Sequence, residues 1–291
     1  MSEIFVGVDG SETSKYAVHW AAREAVLRDV PLVIGNALQK WLYEMPESAA
    51  YGHVGRWARE DAGRLLDDAR TVALNAEPDV DVTTRLLAGD ARPALLEAAA
   101  NASVLVVGGR GEGGFTGLLL GSVAHGVAEH ADVPVTVVQG PLGEAGREIV
   151  VGVDRSTGSL AAVELAFTEA SVRGVPLRAV YAWREISAAM ADAWLYARPE
   201  AVIRAEHADE DAARKTLTET IAAKAASYPG VKVIEDLEVG HPTDVLVRAA
   251  SNADLLVVGR RGGGMFPHLR VGSVSHGVLH HSPCPVMIVP H

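Results

Sequence analysis

The sequence predicts an α/β protein built from two tandem Rossmann-like domains, each an open five-stranded parallel sheet. Two observations lead there. Short, continuously apolar runs alternate with helical stretches along all 291 residues. Such runs mark strands buried on both faces, which is the parallel-sheet pattern. Right-handed crossovers then wind helices over both faces of the sheet. Lastly, a glycine pattern is written twice: "GGRGEGGFTGLLLGS" at 108–122 and "GRRGGGMFPHLRVGS" at 259–273. In both, Gly is followed by two residues, Gly, nine residues, then Gly-Ser.

In the first copy, residues 3–8 are a β-branched run and predict the first strand. Residues 13–28 place Ala17, Trp20, Ala21, Ala25 and Leu27 near helical spacing. "PLVIGNAL" at 31–38 predicts strand two, 57–76 an amphipathic helix, and "VDVTTRLL" at 80–87 strand three. A helix over 92–101, strand four over 103–108, a helix over 122–131 and strand five, "VPVTVV" at 133–138, complete the set. The second copy repeats it. "IFVGVDGSETS" at 4–14 matches "IVVGVDRSTGS" at 149–159, "GSVAHGV" at 121–127 matches "GSVSHGV" at 272–278, and "VPVTVV" matches "CPVMIV" at 284–289. A period near 150 residues is too long for a solenoid. It is one globular domain duplicated, with domains expected at 1–140 and 148–291 and a linker around 139–147.

Composition narrows the function. A net charge of −11 argues against nucleic acid or an anionic membrane as the main partner. The single cysteine, Cys284, permits no internal disulfide and reads as a buried, inert thiol. No signal peptide opens the sequence, and no apolar run approaches the roughly 18 residues that span a bilayer. A soluble, cytoplasmic protein is expected.

In doubly wound sheets, ligands bind outside the carboxyl ends of the strands, where the strand order reverses. Strand one ends in "VGVDGS", and strand four runs into the glycine loop. If those strands are neighbours, Asp9 faces Gly108–Ser122 across one crevice, and Asp154 faces Gly259–Ser273 across another. Glycines let backbone amides approach and converge on an anion. Ser122 and Ser273 stand where helices begin, as favoured N-caps. A helix start is a ready phosphate site. An acid opposite it can hold a ribose hydroxyl or a divalent cation. The constellation reads as a nucleotide site in each half.

The VGVD-x-S opening, the Gly-x2-Gly-x9-Gly-Ser spacing and the terminal VPV-type strand resemble the universal stress protein family, over nearly the whole chain. The resemblance implies the adenine nucleotide alpha hydrolase-like fold, strand order 3-2-1-4-5, and ATP with Mg²⁺ in both halves. The contacts it implies in the first half are Gly7, Val8, Asp9, Gly108, Gly111, Gly121, Ser122 and Val123. In the second they are Gly152, Val153, Asp154, Gly259, Gly262, Gly272, Ser273 and Val274. The intervening loop residues Gly109, Arg110, Gly113 and Gly114, and Arg260, Arg261, Gly263 and Gly264, belong to the same expected sites. Adenine is expected near Ala37 and Ala182. Family loops often carry a basic residue after the second motif glycine; here Glu112 and Gly263 stand there. With Arg260, Arg261 and Arg270 and no acid in its loop, the second site is expected to bind ATP more tightly.

The function this implies is an ATP-binding regulatory protein of the bacterial stress response. The alternative is a slow ATPase or adenylate-handling enzyme; a dimerisation scaffold with degenerate sites is a third reading. There is no GxxxxGK[ST] loop and no GxSxG elbow, and no residues are assigned as catalytic. His125 and His276 at matched helix positions, and His280 with His281, read as packing or surface residues rather than metal ligands. The segments 39–56 and 183–203 each carry Trp-Leu-Tyr, at 41–43 and 194–196. They read as padding for the core or an interface in preference to a lid. The fifth strands are expected to pair antiparallel, and the chain to form a homodimer through fifth-strand edges and related surfaces.

Overall fold

The computed structural model describes residues 3–111, 120–143, 147–154, 156–183, 199–262 and 270–290, with 199–209 as backbone alone. The first repeat runs β1 (Ile4–Gly7), α1 (Glu12–Arg28), β2 (Leu32–Leu38), α2 (Lys40–Tyr43), α3 (Gly52–Ala76), β3 (Val82–Ala88), α4 (Ala91–Ala98), β4 (Val104–Gly108), α5 (Ser122–His130) and β5 (Val135–Val138). The second runs β6 (Ile149–Gly152), α6 (Thr157–Arg173), β7 (Leu177–Trp183), α7 (Pro199–Ala225), β8 (Val233–Val239), α8 (Pro242–Ala249), β9 (Leu255–Gly259), α9 (Ser273–His281) and β10 (Val286–Val289). A 3-10 turn at Ala250–Asn252 follows α8. Within each repeat the strand order is 3-2-1-4-5, as β3-β2-β1-β4-β5 and β8-β7-β6-β9-β10.

The chain divides into two compact units, Met1–Gly143 with Pro283–Pro290, and Glu144–Ser282. In the first unit β1 lies parallel between β2 and β4, with Gly7 level with Gly35 and Val107. That register brings the ends of β1 and β4 to one edge of the sheet, while β2 continues three residues further, to Leu38. Every residue of β1 and of β5 is buried. The edge strand β3 is largely exposed. In the second unit β6 lies parallel between β7 and β9.

Helices α1 and α6 carry the same local signals. Ser11 and Ser156 are their N-caps, each hydroxyl accepting an amide of the first turn, from Ser14 and Ser159. Both end in a left-handed residue, Asp29 at φ 53° and Gly174 at φ 65°. Both lay small residues on the sheet: Ala17, Ala21 and Ala25 in α1, Ala162, Ala166 and Ala170 in α6, none more than 1% exposed. Both also hold an internal ion pair at i,i+4, Glu24–Arg28 at 2.7 Å and Glu169–Arg173, with carboxylates 2% and 0% exposed.

Two expectations are corrected. The helix expected over 57–76 begins earlier. Here α2 forms and α3 starts at Gly52, because Arg59 of α3 donates to the carbonyls of Leu42, Tyr43 and Met45 at 3.0–3.2 Å. Trp41 is 58% exposed and Tyr43 38%, so these aromatics do not pad the core. The equivalent residues 184–198 lie outside the described ones.

The second correction concerns assembly. The antiparallel pairing of fifth strands is present inside the chain: Val286 faces Val137, Met287 faces Thr136 and Ile288 faces Val135. The other edge of β5 pairs with β4. Both edges of β5 are therefore taken, and a second chain cannot add there.

Candidate functional site

The site in each half is assembled at the carboxyl edge from three pieces: the end of strand one, the first turn of its helix, and the glycine loop after strand four. In the first half Asp9 turns back on the chain. Its Oδ1 accepts from the Ser11 amide at 3.1 Å and the Ser11 hydroxyl at 2.7 Å. Asp154 repeats this with Ser156, at 2.8 Å and 2.5 Å. The Asp154 amide also donates to Ser159 Oγ at 2.9 Å. These bonds fix each carboxylate and leave Oδ2 directed at the loop.

The six motif glycines are glycine for different reasons. A Cβ on Gly108 would lie 2.7 Å from the Ser14 amide nitrogen, and one on Gly259 would lie 2.6 Å from the Gly158 backbone. The first glycine thus lets strand four pack on the helix start. A Cβ on Gly111 or Gly262 would lie 2.5 Å from Oδ2 of Asp9 or Asp154. The second glycine thus makes room for the aspartate. The third has no such reason. Gly121 and Gly272 adopt ordinary extended backbone, φ −76° ψ 156° and φ −67° ψ 157°. A Cβ there would meet nothing closer than 3.4 Å. Neither backbone nor packing within the described residues requires glycine at 121 or 272.

The serine N-cap expected at the helix start is corrected. Gly121 and Gly272 are the N-caps, and Ser122 and Ser273 are the first helical residues. Their carbonyls receive the first helical bonds, from His125 at 3.0 Å and His276 at 2.8 Å. A tertiary bond fixes this register: the Gly121 amide donates to the Gly109 carbonyl at 2.7 Å, and the Gly272 amide to the Arg260 carbonyl at 2.8 Å. With a glycine cap, the N-cap residue gives no side-chain hydrogen bond to the first-turn amides of α5 or α9. Those amides have no intrahelical acceptor and carry the positive end of the helix dipole.

The other expected residues fall into place around this. Val8 and Val153, just past the ends of β1 and β6, are buried, and their amides donate to the carbonyls of Gly35 and Val180 at 2.9 Å. Gly7 and Gly152 pack on Leu95 and Leu246. They form the floor of the site. Ala37 and Ala182 lie half-buried on the ends of β2 and β7 that run past it. Ser122 and Ser273 are exposed at the helix starts, beside half-buried Val123 and Val274. Glu112, Gly113, Gly114, Gly263 and Gly264 lie outside the described residues.

The two halves differ in how the loop starts. In the first, Thr13 Oγ1 donates to the Arg110 carbonyl and accepts from the Arg110 amide at 3.2 Å. Arg110 itself is exposed. In the second, Gly158 replaces Thr13, and Arg261, the counterpart of Arg110, is half-buried. Its Nε is buried with no hydrogen-bond partner among the described residues. Buried polar groups in folded proteins are nearly always hydrogen-bonded, so this donor stands out. A cavity of about 460 Å³ also opens on Asp154, between Leu160 of α6 and Lys215, Glu219 and Thr220 of α7.

Two contributors escape the motif. Thr13 is one; its position inside the first turn of α1 is the only sequence signal. Asn36 is the other, a buried amide donating to the Val8 carbonyl at 2.8 Å. A polar residue in the apolar run "LVIGNAL" is the signal that could have found it.

Comparison with known proteins agrees with this architecture. The family described as "Universal stress protein family" matches residues 1–139 and again 146–290. The universal stress protein Rv2623 of Mycobacterium tuberculosis is 32% identical over 302 residues, covering 98% of this chain and 95% of that one. A second from the same organism, Rv1996, is 32% identical over 308 residues, covering 98% and 94%. The crystal structure of a universal stress protein from Archaeoglobus fulgidus superposes with a TM-score of 0.72 at 22% identity, covering 99% and 98%. At that identity the likeness speaks for the fold alone.

Proposed function

This chain belongs to the universal stress protein family as a tandem two-domain member, with that family's regulatory role in the stress response, and on that premise we propose that each half binds ATP and that the protein acts as a cytoplasmic nucleotide sensor. One observation carries the reading. Gly121 and Gly272 are kept free of a side chain where no atom of the described residues demands it. What would need that space is a ligand lying against the bare amides of α5 and α9.

Polyphosphate fits there, since uncapped helix starts favour anions. Oδ2 of Asp9 and of Asp154 supplies the one carboxylate oxygen that a phosphate-bound Mg²⁺ commonly takes from protein. The ion would neutralise charge between phosphate and carboxylate. The backbone at Ala37 and Ala182 borders the place for the base. The described site offers a cradle and a single carboxylate whose Oδ1 is already held by serine, so we favour a sensor over a hydrolase. Nucleotide extracted from purified protein and identified by mass spectrometry should be ATP, at two per chain. Protein that neither carries nor takes up adenine nucleotide would overturn the reading.

The halves should bind unequally. Arg261 keeps a buried donor without a partner among the described residues, whereas Arg110 is exposed and Thr13 already holds its backbone. One charge-assisted contact that solvent partly screens contributes about 1 kcal/mol, a several-fold gain in affinity. Isothermal titration of Gly121→Val, which leaves the second site, should therefore show tighter ATP binding than Gly272→Val, which leaves the first. Equal affinities would mean that backbone amides and metal outweigh the arginine.

Homodimerisation is proposed through a surface other than the paired edges of β5. Light scattering should give twice the mass of one chain, and a monomer at every working concentration would refute it.

A further inference from the structure

We propose that α9 carries a transition-metal site made by His276 and His280. The two residues are one helical turn apart and so lie on the same face. Their ring centroids are 4.5 Å apart, with planes inclined at 43°. His276 is exposed and His280 half-buried, so the pair opens to solvent.

The spacing matches shared coordination. With metal–nitrogen bonds of about 2.0–2.1 Å, an imidazole centre lies about 3.2 Å from the ion. At the roughly 90–110° ligand angles of octahedral and tetrahedral sites, two such centres stand about 4.5–5.2 Å apart. The observed separation falls at the near end of that range. The helix therefore holds the two ring centres at a separation that shared coordination requires.

The donor set selects the ion. Two imidazoles suit Cu²⁺, Ni²⁺ and Zn²⁺ over Mg²⁺ or Ca²⁺, which prefer oxygen. Among the described residues no group of three or more histidines, cysteines or carboxylates converges, so water fills the remaining positions. His281 does not join. Its ring is 6.3 Å from that of His280, and as the next residue it projects about 100° further round the helix. The first repeat has His125 and Glu129 at the matching positions, so the dihistidine pair belongs to the second half alone. The site stands independently of the nucleotide reading. It begins one turn beyond the end of α9 that faces the glycine loop, and an ion there would bridge two turns of that helix.

The test is titration of untagged full-length protein with Ni²⁺ alone, followed by calorimetry and thermal unfolding. The wild type should show a saturable equivalent per chain and a higher Tm with Ni²⁺. His276→Asn and His280→Asn should each weaken that equivalent at least tenfold and abolish the Tm shift, with circular dichroism unchanged. His281→Asn should behave as wild type. An isotherm unchanged in His276→Asn and His280→Asn overturns the site, as does a wild type that does not bind Ni²⁺, or loss of binding in His281→Asn.

Discussion

Replacing Gly121 and Gly272 together by valine is expected to leave a folded protein that has lost nucleotide. Extended backbone near φ −70° and ψ 157° suits a β-branched residue, and the first added carbon finds ordinary contact distances. Valine is a poor N-cap, so a loss of up to about 1 kcal/mol at each helix start is expected. That is small against the 5–15 kcal/mol that holds a domain folded. The ligand side is different. Valine methyls would lie over the uncapped amides of α5 and α9, which a polyphosphate must reach directly. Affinity should fall at least a hundredfold, about 3 kcal/mol. Calorimetry with a parallel thermal melt reads both quantities. ATP affinity like that of the wild type in a folded double variant would sink the proposed site.

The largest stability effect is expected at the ion pairs inside α1 and α6. Glu169 is fully buried and Arg173 12% exposed; Glu24 is 2% exposed and Arg28 15%. Arg173→Met removes the guanidinium from beside a carboxylate that stays buried. Breaking one side of a buried pair costs about 3–5 kcal/mol. The double change Glu169→Gln with Arg173→Met removes both charges and should recover much of that loss. Denaturant unfolding of the two variants tests the claim. A loss below about 1 kcal/mol for Arg173→Met alone would show that the carboxylate finds other support.

Much of this fold was legible in the sequence because burial on both faces leaves strands such as "VLVVG" and "LLVVG" without polar interruption. Duplication made the glycine loops and their aspartates stand out. What remained hidden is tertiary. The start of α3 at Gly52 depends on Arg59 reaching back to three carbonyls of the α2 corner, and a glycine there reads locally as a break. Serine outranks glycine as an N-cap in many contexts, so Ser122 looked like the cap. The bond from the Gly121 amide to Gly109 moves the cap one residue earlier. The separate reasons for each motif glycine lie in contacts such as Gly111 with Asp9, about a hundred residues apart in the chain. Spacing alone cannot distinguish a glycine that serves packing from one that leaves room for a ligand.

The pairing of β5 with β10 also governs how the chain emerges from the ribosome. Val286 is made about 150 residues after Val138, which at ordinary synthesis rates is a delay on the order of ten seconds. Until then one edge of β5, in a strand whose every side chain is buried in the finished unit, has no partner. The nascent first unit can collapse early, yet its last hydrogen-bonded strand arrives only after the whole of the second unit has been made. During that interval the bare edge is a template for any strand that reaches it, including β5 of a neighbouring nascent chain on the same message. Completion of the second half is thus what ends the first half's exposure to misassembly.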